Sequence, residues 1–343
     1  MRKVRWGVIG CGWVSQFHLA GIARCERAEL VAVCDADEAA AARTSREHGA
    51  KRFFTDYRKL LSLDEVDAVD VVLPTHLHCA VACEAAAAGK HVLCEKPLAP
   101  TTEACRSMMQ VAQDNGVLLM PMHNRLFYAP HVEAKKLVAE GAIGEAVLFQ
   151  ANFLTDLAIR EDDFLASNWR GDRKRSGGGV VMESAVHLVY TAEDLLGRIA
   201  EVLAGTVPSG RPGVDTEDGA LVAGRFADAG RFSFNLHRRS SVVDDRQLIV
   251  GTKGAIAISA VEASDIPGRP VLSVYRRSAR RWEHPEARRD WELSFGKLIA
   301  HFTACVLGEE TPAVTAEDGL SAIAVIEAIY ASAAHACPTQ VIR

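Results

Sequence analysis

Up to about residue 120, the hydrophobic positions come in short continuous runs. Residues 4–9 form one such run and end at a glycine; 30–34, 69–73, 92–94 and 118–120 repeat the pattern. Continuous apolar runs of this length predict strands buried on both faces of a parallel sheet. Between them, 13–24, 38–48, 78–88 and 101–115 read as helices, and Gly89 and Gly116 close two of them. Regular alternation of strand and helix predicts right-handed crossovers. The pattern changes near residues 121–124. A helix at 130–140 and the turn Gly141-Ala142-Ile143-Gly144 lead into strands at 146–153, 199–207, 217–226, 231–237, 247–250, 255–259 and 271–275. Short turns such as Asp228-Ala229-Gly230 join several of these, which predicts a largely antiparallel sheet. Helices at 295–307 and 316–334 follow. The expected fold class is α/β with two domains, 1–122 and 123–343. The long charged segment 156–179 reads as a loop or lid, and the arginine-rich 276–289 as a solvated hairpin or lid.

Composition narrows the function classes. With 343 residues the chain exceeds one ordinary core. Hydrophobic residues are 49% and charged residues 24%, the profile of a globular protein, and no run approaches the roughly 20 apolar residues of a membrane span. A net charge of −5 gives no basis for a nucleic acid or an anionic membrane as partner. Arg2, Lys3 and Arg5 precede an apolar run in the manner of a leader, but Gln16 and His18 interrupt it, so no signal peptide is expected. The nine cysteines show no Cys-x-x-Cys spacing, and several lie in apolar runs (Cys34, Cys94, Cys305). Reduced thiols and a cytoplasmic location are the expectation.

The first turn carries chemistry. Gly10 permits a tight bend after the strand, and Gly12 lets the backbone approach a pyrophosphate. Ser15 takes the small third position, and the phosphates meet the N-terminus of the helix opened by Trp13 and Val14. Asp35, at the end of the next strand, supplies the acid that accepts the adenine ribose hydroxyls and repels a 2′-phosphate. These features predict a Rossmann domain that binds NAD in preference to NADP. Asp37 competes with Asp35 for the ribose role. Further on, Glu95-Lys96-Pro97 presents a lysine fixed by a following proline. His76 and His78 lie close together, but no second cluster has ligand spacing, so no metal is expected.

These residues together resemble the Gfo/Idh/MocA family of oxidoreductases. The likeness rests on Gly10-Cys11-Gly12 with His18, Leu73-Pro74-Thr75-His76-Leu77-His78, and Ala88-Gly89-Lys90-His91-Val92 through Glu95-Lys96-Pro97. It continues through Asn124-Arg125, Phe127, Pro130, Gly141 to Gly144, Trp169-Arg170, Gly177-Gly178-Gly179 and His187. The resemblance implies a Rossmann domain followed by an α/β domain with an open, mostly antiparallel sheet. It implies NAD contacts from Gly10, Gly12, Trp13, Val14, Asp35, Pro74, Thr75, His78, Glu95 and Lys96, with a helix-start capping role as the preferred reading of His78 and His76 as the histidine within reach of the cofactor. It makes Lys96 and His187 catalytic, and places Arg125, Trp169 and Arg170 with them at the substrate. A homodimer or homotetramer is also implied.

The implied activity is NAD-dependent oxidation or reduction of a secondary alcohol of a sugar, cyclitol or derivative. Two alternatives stay open: redox-neutral sugar modification with tightly held NAD, and a non-enzymatic NAD-binding sensor. Glu183 precedes His187 by four residues, which on a helix puts both on one face as base and orienting carboxylate. Glu183 stands where many members have aspartate or asparagine, and Tyr190 where many have aspartate. Asn235 and His237 are expected to project toward the substrate. Arg173-Lys174-Arg175 reads as a solvated face, with an anion site as the alternative.

Overall fold

In the computed structural model, residues 1–156, 165, 168–259 and 268–343 are described. Of the expected lid, 156–179, residues 157–164 and 166–167 lie outside them. The chain divides into two compact units: Met1–Asn124 with Glu292–Leu320, and Arg125–Trp291 with Ser321–Arg343. Sequence pattern carries no signal for the return of Glu292–Leu320 to the first unit.

The first unit is a six-stranded parallel sheet. Its strands are β1 (Val4–Ile9), β2 (Ala28–Cys34), β3 (Arg52–Phe54), β4 (Ala68–Val71), β5 (His91–Cys94) and β6 (Leu119–Pro121), in the order β3-β2-β1-β4-β5-β6. This is the doubly wound Rossmann order, with its switch point between β1 and β4. β1 and β4 are almost wholly buried, as continuous apolar runs require. β3 was not expected, since Arg52-Phe53-Phe54 is a short, largely exposed edge strand with little apolar pattern. The connecting helices are α1 (Ser15–Arg24), α2 (Glu38–His48), α3 (Tyr57–Leu61), α4 (Thr75–Ala87) and α5 (Thr102–Asp114). Asp37 caps α2 by accepting the Ala39 and Ala40 N–H groups, and Thr101 caps α5 through Ala104. α4 begins at Thr75, three residues earlier than its apolar periodicity indicates.

The second unit is built on a nine-stranded sheet. Its strands are β7 (Ala146–Leu154), β8 (Ile199–Pro208), β9 (Glu217–Phe226), β10 (Arg231–His237), β11 (Asp244–Gly251), β12 (Gly254–Ser259), β13 (Leu272–Arg276), β14 (Arg281–Glu283) and β15 (Thr339–Gln340). Their order is β14-β13-β12-β11-β7-β10-β9-β8-β15, and every pairing is antiparallel except β7 with β10. The arginine-rich segment forms the β13–β14 hairpin. Among the described residues, the later helices are α6 (Ala129–Ala139), α7 (Arg173–Ser176), α8 (Val186–Leu196), α9 (Trp291–Val306) and α10 (Ala316–His335). A π turn at Val181–Ala185 runs directly into α8. Alternation along β7 and β10 buries Phe149, Ala151, Phe153, Phe232, Phe234 and Leu236 and leaves the other face open.

The entry to that π turn is tightly built. Glu217 is buried on β9, and its Oε1 accepts N–H groups of Gly179 (2.9 Å) and Val181 (3.0 Å) and the Tyr330 hydroxyl (2.9 Å). A Cβ on Gly178 would lie 1.8 Å from the Tyr330 hydroxyl, and one on Gly179 would lie 2.1 Å from the Glu217 carbonyl oxygen. The glycines thus let the backbone reach a buried carboxylate. Gly179→Ala should destabilise the protein by about 1–3 kcal/mol through overpacking against main chain. A denaturant midpoint equal to wild type would refute this account of the glycine triplet.

Candidate active site

In the first unit the predicted cofactor residues gather at the carboxyl ends of β1, β2 and β4. Gly10 has φ +107°, and a Cβ there would lie 2.0 Å from the Val72 carbonyl oxygen, so only glycine makes this turn beside β4. Nothing lies within 4 Å of a Cβ built on Gly12. Gly12 and Trp13 are exposed, and α1 has no side-chain cap at Val14. An uncapped helix N-terminus behind an open glycine turn fits a pyrophosphate. Asp35 Oδ2 accepts the Cys11 N–H at 2.8 Å, and Oδ1 accepts the Asp37 N–H at 2.9 Å, which fixes the carboxylate beside that turn. Asp37, the other candidate, is engaged as the α2 cap.

Pro74 and Thr75 form the start of α4, after β4. His78 lies in its first turn with both ring nitrogens on carbonyl oxygens, Nδ1 to Pro97 at 2.9 Å and Nε2 to Leu73 at 2.7 Å. Burial pushes its pKa down from the usual imidazole range, so at neutral pH one nitrogen donates and the other merely abuts its carbonyl. This ties the β4 end to the loop carrying Lys96. On the other side, Glu95 Oε2 accepts the Lys96 N–H at 2.8 Å. The half-buried Lys96 is therefore held through its own amide and through the next residue's carbonyl.

Sequence reasoning missed what holds Glu95. His18, from α1, is fully buried between Asp70 Oδ2 (2.8 Å) and Glu95 Oε1 (3.0 Å). The two carboxylates overcome the desolvation that opposes charging and push the imidazole pKa up to about 10. Burial raises the Asp70 carboxyl, while His18 lowers Glu95 despite burial. The shared proton resides on the imidazole. One signal was available: an aspartate inside the apolar run Val69-Asp70-Val71 demands a buried partner.

In the second unit, His187 is buried near the start of α8, stacked on Phe153 of β7 at 6.4 Å between ring centroids. At Nδ1 the structure places Tyr190 rather than Glu183, with the hydroxyl 2.7 Å away. Glu183 falls in the π turn, whose wider winding breaks the four-residue facing of an α-helix. Its carboxylate pairs with Arg170 Nε at 3.0 Å and approaches Arg238 at 3.7 Å. Arg170 in turn lies over the Trp169 ring at 4.4 Å.

Arg125, expected at the substrate, is buried. Only 1% exposed, its guanidinium is paired with Asp245 at 3.0 Å and stacked over Phe153, and its backbone N–H donates to the Tyr190 hydroxyl at 3.4 Å. These contacts place it in the layer beneath the His187 ring. Asn235 and His237 alternate with buried Phe234 and Leu236, which puts them on the opposite face of the sheet from Phe153 and His187. A recess of about 300 Å³ lined by Asn152, Arg246, Arg269 and Trp282 is also on that open face. Arg173, Lys174 and Arg175 are all exposed on α7, and Arg173 pairs with Glu217 at 3.2 Å.

Comparison with known proteins fixes the class. Residues 4–123 match the Gfo/Idh/MocA "Oxidoreductase family, NAD-binding Rossmann fold", and 135–341 match its "C-terminal alpha/beta domain". The chain belongs to this family: it is an oxidoreductase with an NAD-binding Rossmann domain. It is 28% identical to a 1,5-anhydro-D-fructose reductase of Ensifer adhaerens, over 96% of each chain. Against a levoglucosan dehydrogenase of Pseudarthrobacter phenanthrenivorans it is 28% identical over 76% of this chain and 74% of the other. A levoglucosan dehydrogenase structure, in complex with NADH and levoglucosan, superposes with a TM-score of 0.88 at 26% identity, covering all of both chains.

Tyr190→Phe removes the hydroxyl at His187 Nδ1 while keeping the ring. Turnover should fall roughly tenfold, the order of one lost orienting hydrogen bond, with NADH affinity unchanged. Equal steady-state kcat for the variant and wild type would show that Tyr190 only fills space.

Proposed function

We propose that this enzyme interconverts a secondary alcohol and a ketone on an uncharged sugar, cyclitol or derivative, with NAD as redox partner. The observation that carries this reading is Lys96, held in an NAD-binding unit by Glu95 on one side and His78 on the other. NAD, when bound, supplies the hydride acceptor in the oxidising direction. Gly10, Gly12, Trp13 and Val14 would hold its phosphates and Asp35 its adenine ribose; Pro74 and Thr75 would line its path toward Lys96.

The chain's own residues handle the proton. Lys96 donates a hydrogen bond to the reacting oxygen and stabilises the charge that develops there. His187, oriented through Nδ1 by Tyr190, takes the hydroxyl proton on oxidation and returns it on reduction. Glu183 acts as a positioning residue that holds Arg170 beside Trp169, the pair assigned to the substrate's outer hydroxyls. An uncharged substrate fits three facts: Arg125 is neutralised internally, the α7 arginines and lysine are solvated, and the two curated relatives named above are a 1,5-anhydro-D-fructose reductase and a levoglucosan dehydrogenase. We also assign the protein to the cytoplasm, in keeping with nine free cysteines.

The partner proposed for the open face of the second sheet is another copy of the chain, as homodimer or homotetramer. Leu203, Val207 and Leu221 are 47%, 52% and 63% exposed on β8 and β9. A monomer in sedimentation equilibrium at micromolar concentration would remove this assignment.

The direct test follows NADH absorbance across a panel of anhydrosugars, aldoses, inositols and sugar phosphates, with NAD and NADP in parallel. Turnover is expected with a neutral sugar and NAD. Lys96→Met should lower kcat by at least about 10²-fold while NADH binding, read by fluorescence titration, is retained. Wild-type turnover in that variant would sink the assignment of Lys96.

A further inference from the structure

The reading of Lys96 leaves the buried ionic cluster behind Glu95 unexplained. Asp70 projects from β4, His18 from α1 and Glu95 from the loop after β5. The imidazole touches one oxygen of each carboxylate, and the far oxygen of Glu95 grips the Lys96 amide. We propose that His18 is a positioning residue for catalysis, acting through Glu95 to set the place and charge of Lys96. This inference rests on the assignment of Lys96 above.

Glu95 is 7% exposed, and a carboxylate that buried stays ionised only with a compensating charge. The His18 imidazolium supplies it from one side, and the Lys96 ammonium adds to it. An ionised Glu95 does two things for Lys96. Its Oε2 holds the backbone through a charge-assisted hydrogen bond, and its charge favours the protonated amine. Asp70 keeps the proton on His18, so the array is anchored to the sheet interior.

The other groups around the ring are accounted for. Phe295 packs on it at 5.2 Å between centroids, from α9. The nearby Cys94 thiol is raised well above its usual range by burial and by both carboxylates, so it stays neutral. The charges acting on the imidazole are those of Asp70 and Glu95. Since folded His18 keeps its proton to about 10, against its ordinary value of about 6.5, its stabilising contribution is complete below about 6.5. That contribution is lost as pH rises through about 10. Glu95, whose pKa is lowered, contributes stability that is lost as pH falls through its folded value.

The experiment compares wild type, His18→Asn, Asp70→Asn and Lys96→Met, each with NAD and a substrate found in the panel. Without the imidazolium, Glu95 must take up a proton at higher pH. His18→Asn should therefore lower kcat at least tenfold at neutral pH, and should move the acid limb of the kcat–pH profile up by about one unit or more. NADH affinity should change less than about twofold, since the glycine turn is untouched. A lowered melting temperature with wild-type kcat and an unmoved acid limb would make His18 merely structural and overturn the proposal. Active Lys96→Met would instead overturn the assignment of Lys96 itself, so the two failures are distinguishable. If His18→Asn does not fold, Glu95→Gln, which removes the charge through which His18 acts, decides the matter: kcat should fall at least tenfold with NADH affinity changed less than about twofold. Wild-type kcat and an unmoved acid limb in that variant overturn the proposal.

Discussion

A carboxylate placed inside a parallel strand must find a positive partner or give up its charge. Asp70 meets that constraint with His18, and much of the first unit's functional edge follows from it. The pairing draws α1 against β4. It also leaves the second ring nitrogen facing Glu95, whose other oxygen holds the Lys96 amide. The buried imidazolium thereby connects α1, the helix behind the glycine turn, with the loop that carries Lys96. Neither carboxylate could remain ionised there alone, and the imidazole would not hold its proton at neutral pH without them.

The second unit solves a similar problem in a different way. Glu217 is buried, but its Oε1 is met by two N–H groups of the glycine-rich turn and by a tyrosine hydroxyl, with Arg173 at Oε2. Backbone approach of this kind requires residues without side chains, which explains Gly178 and Gly179 by sterics. The turn then delivers a π winding and α8. His187 thus enters from a rigid, internally satisfied base, with Phe153 beneath its ring and Tyr190 at Nδ1. Arg125, Asp245 and Phe153 form the layer that supports it. Charge in this layer is matched internally.

Glu183 and Tyr190, where the family resemblance implies aspartate or asparagine and aspartate respectively, take separate partners in this chain. The longer glutamate, set in the π turn, reaches Arg170 and Arg238. The neutral phenol takes the ring nitrogen. A neutral partner orients an imidazole without the added stabilisation of its charged form that a carboxylate provides.

The class of fold was legible because it rests on local patterns. Continuous apolar runs separated by helices define a buried parallel sheet, and Gly10, Gly12 and Asp35 lie close enough in sequence to be read as one turn and one strand end. Glu95-Lys96-Pro97 was legible for the same reason. What sequence could not reveal depends on groups brought together over long separations: His18 with Asp70 and Glu95, Arg125 with Asp245, and the return of Glu292–Leu320 to the first unit. Helical spacing suggested Glu183 as the partner of His187, but a π turn changes which residues share a face, and hydrophobic periodicity does not record that change. Buried polar groups pair with whatever the tertiary structure carries to within about 3 Å, and this distance bears no relation to sequence separation.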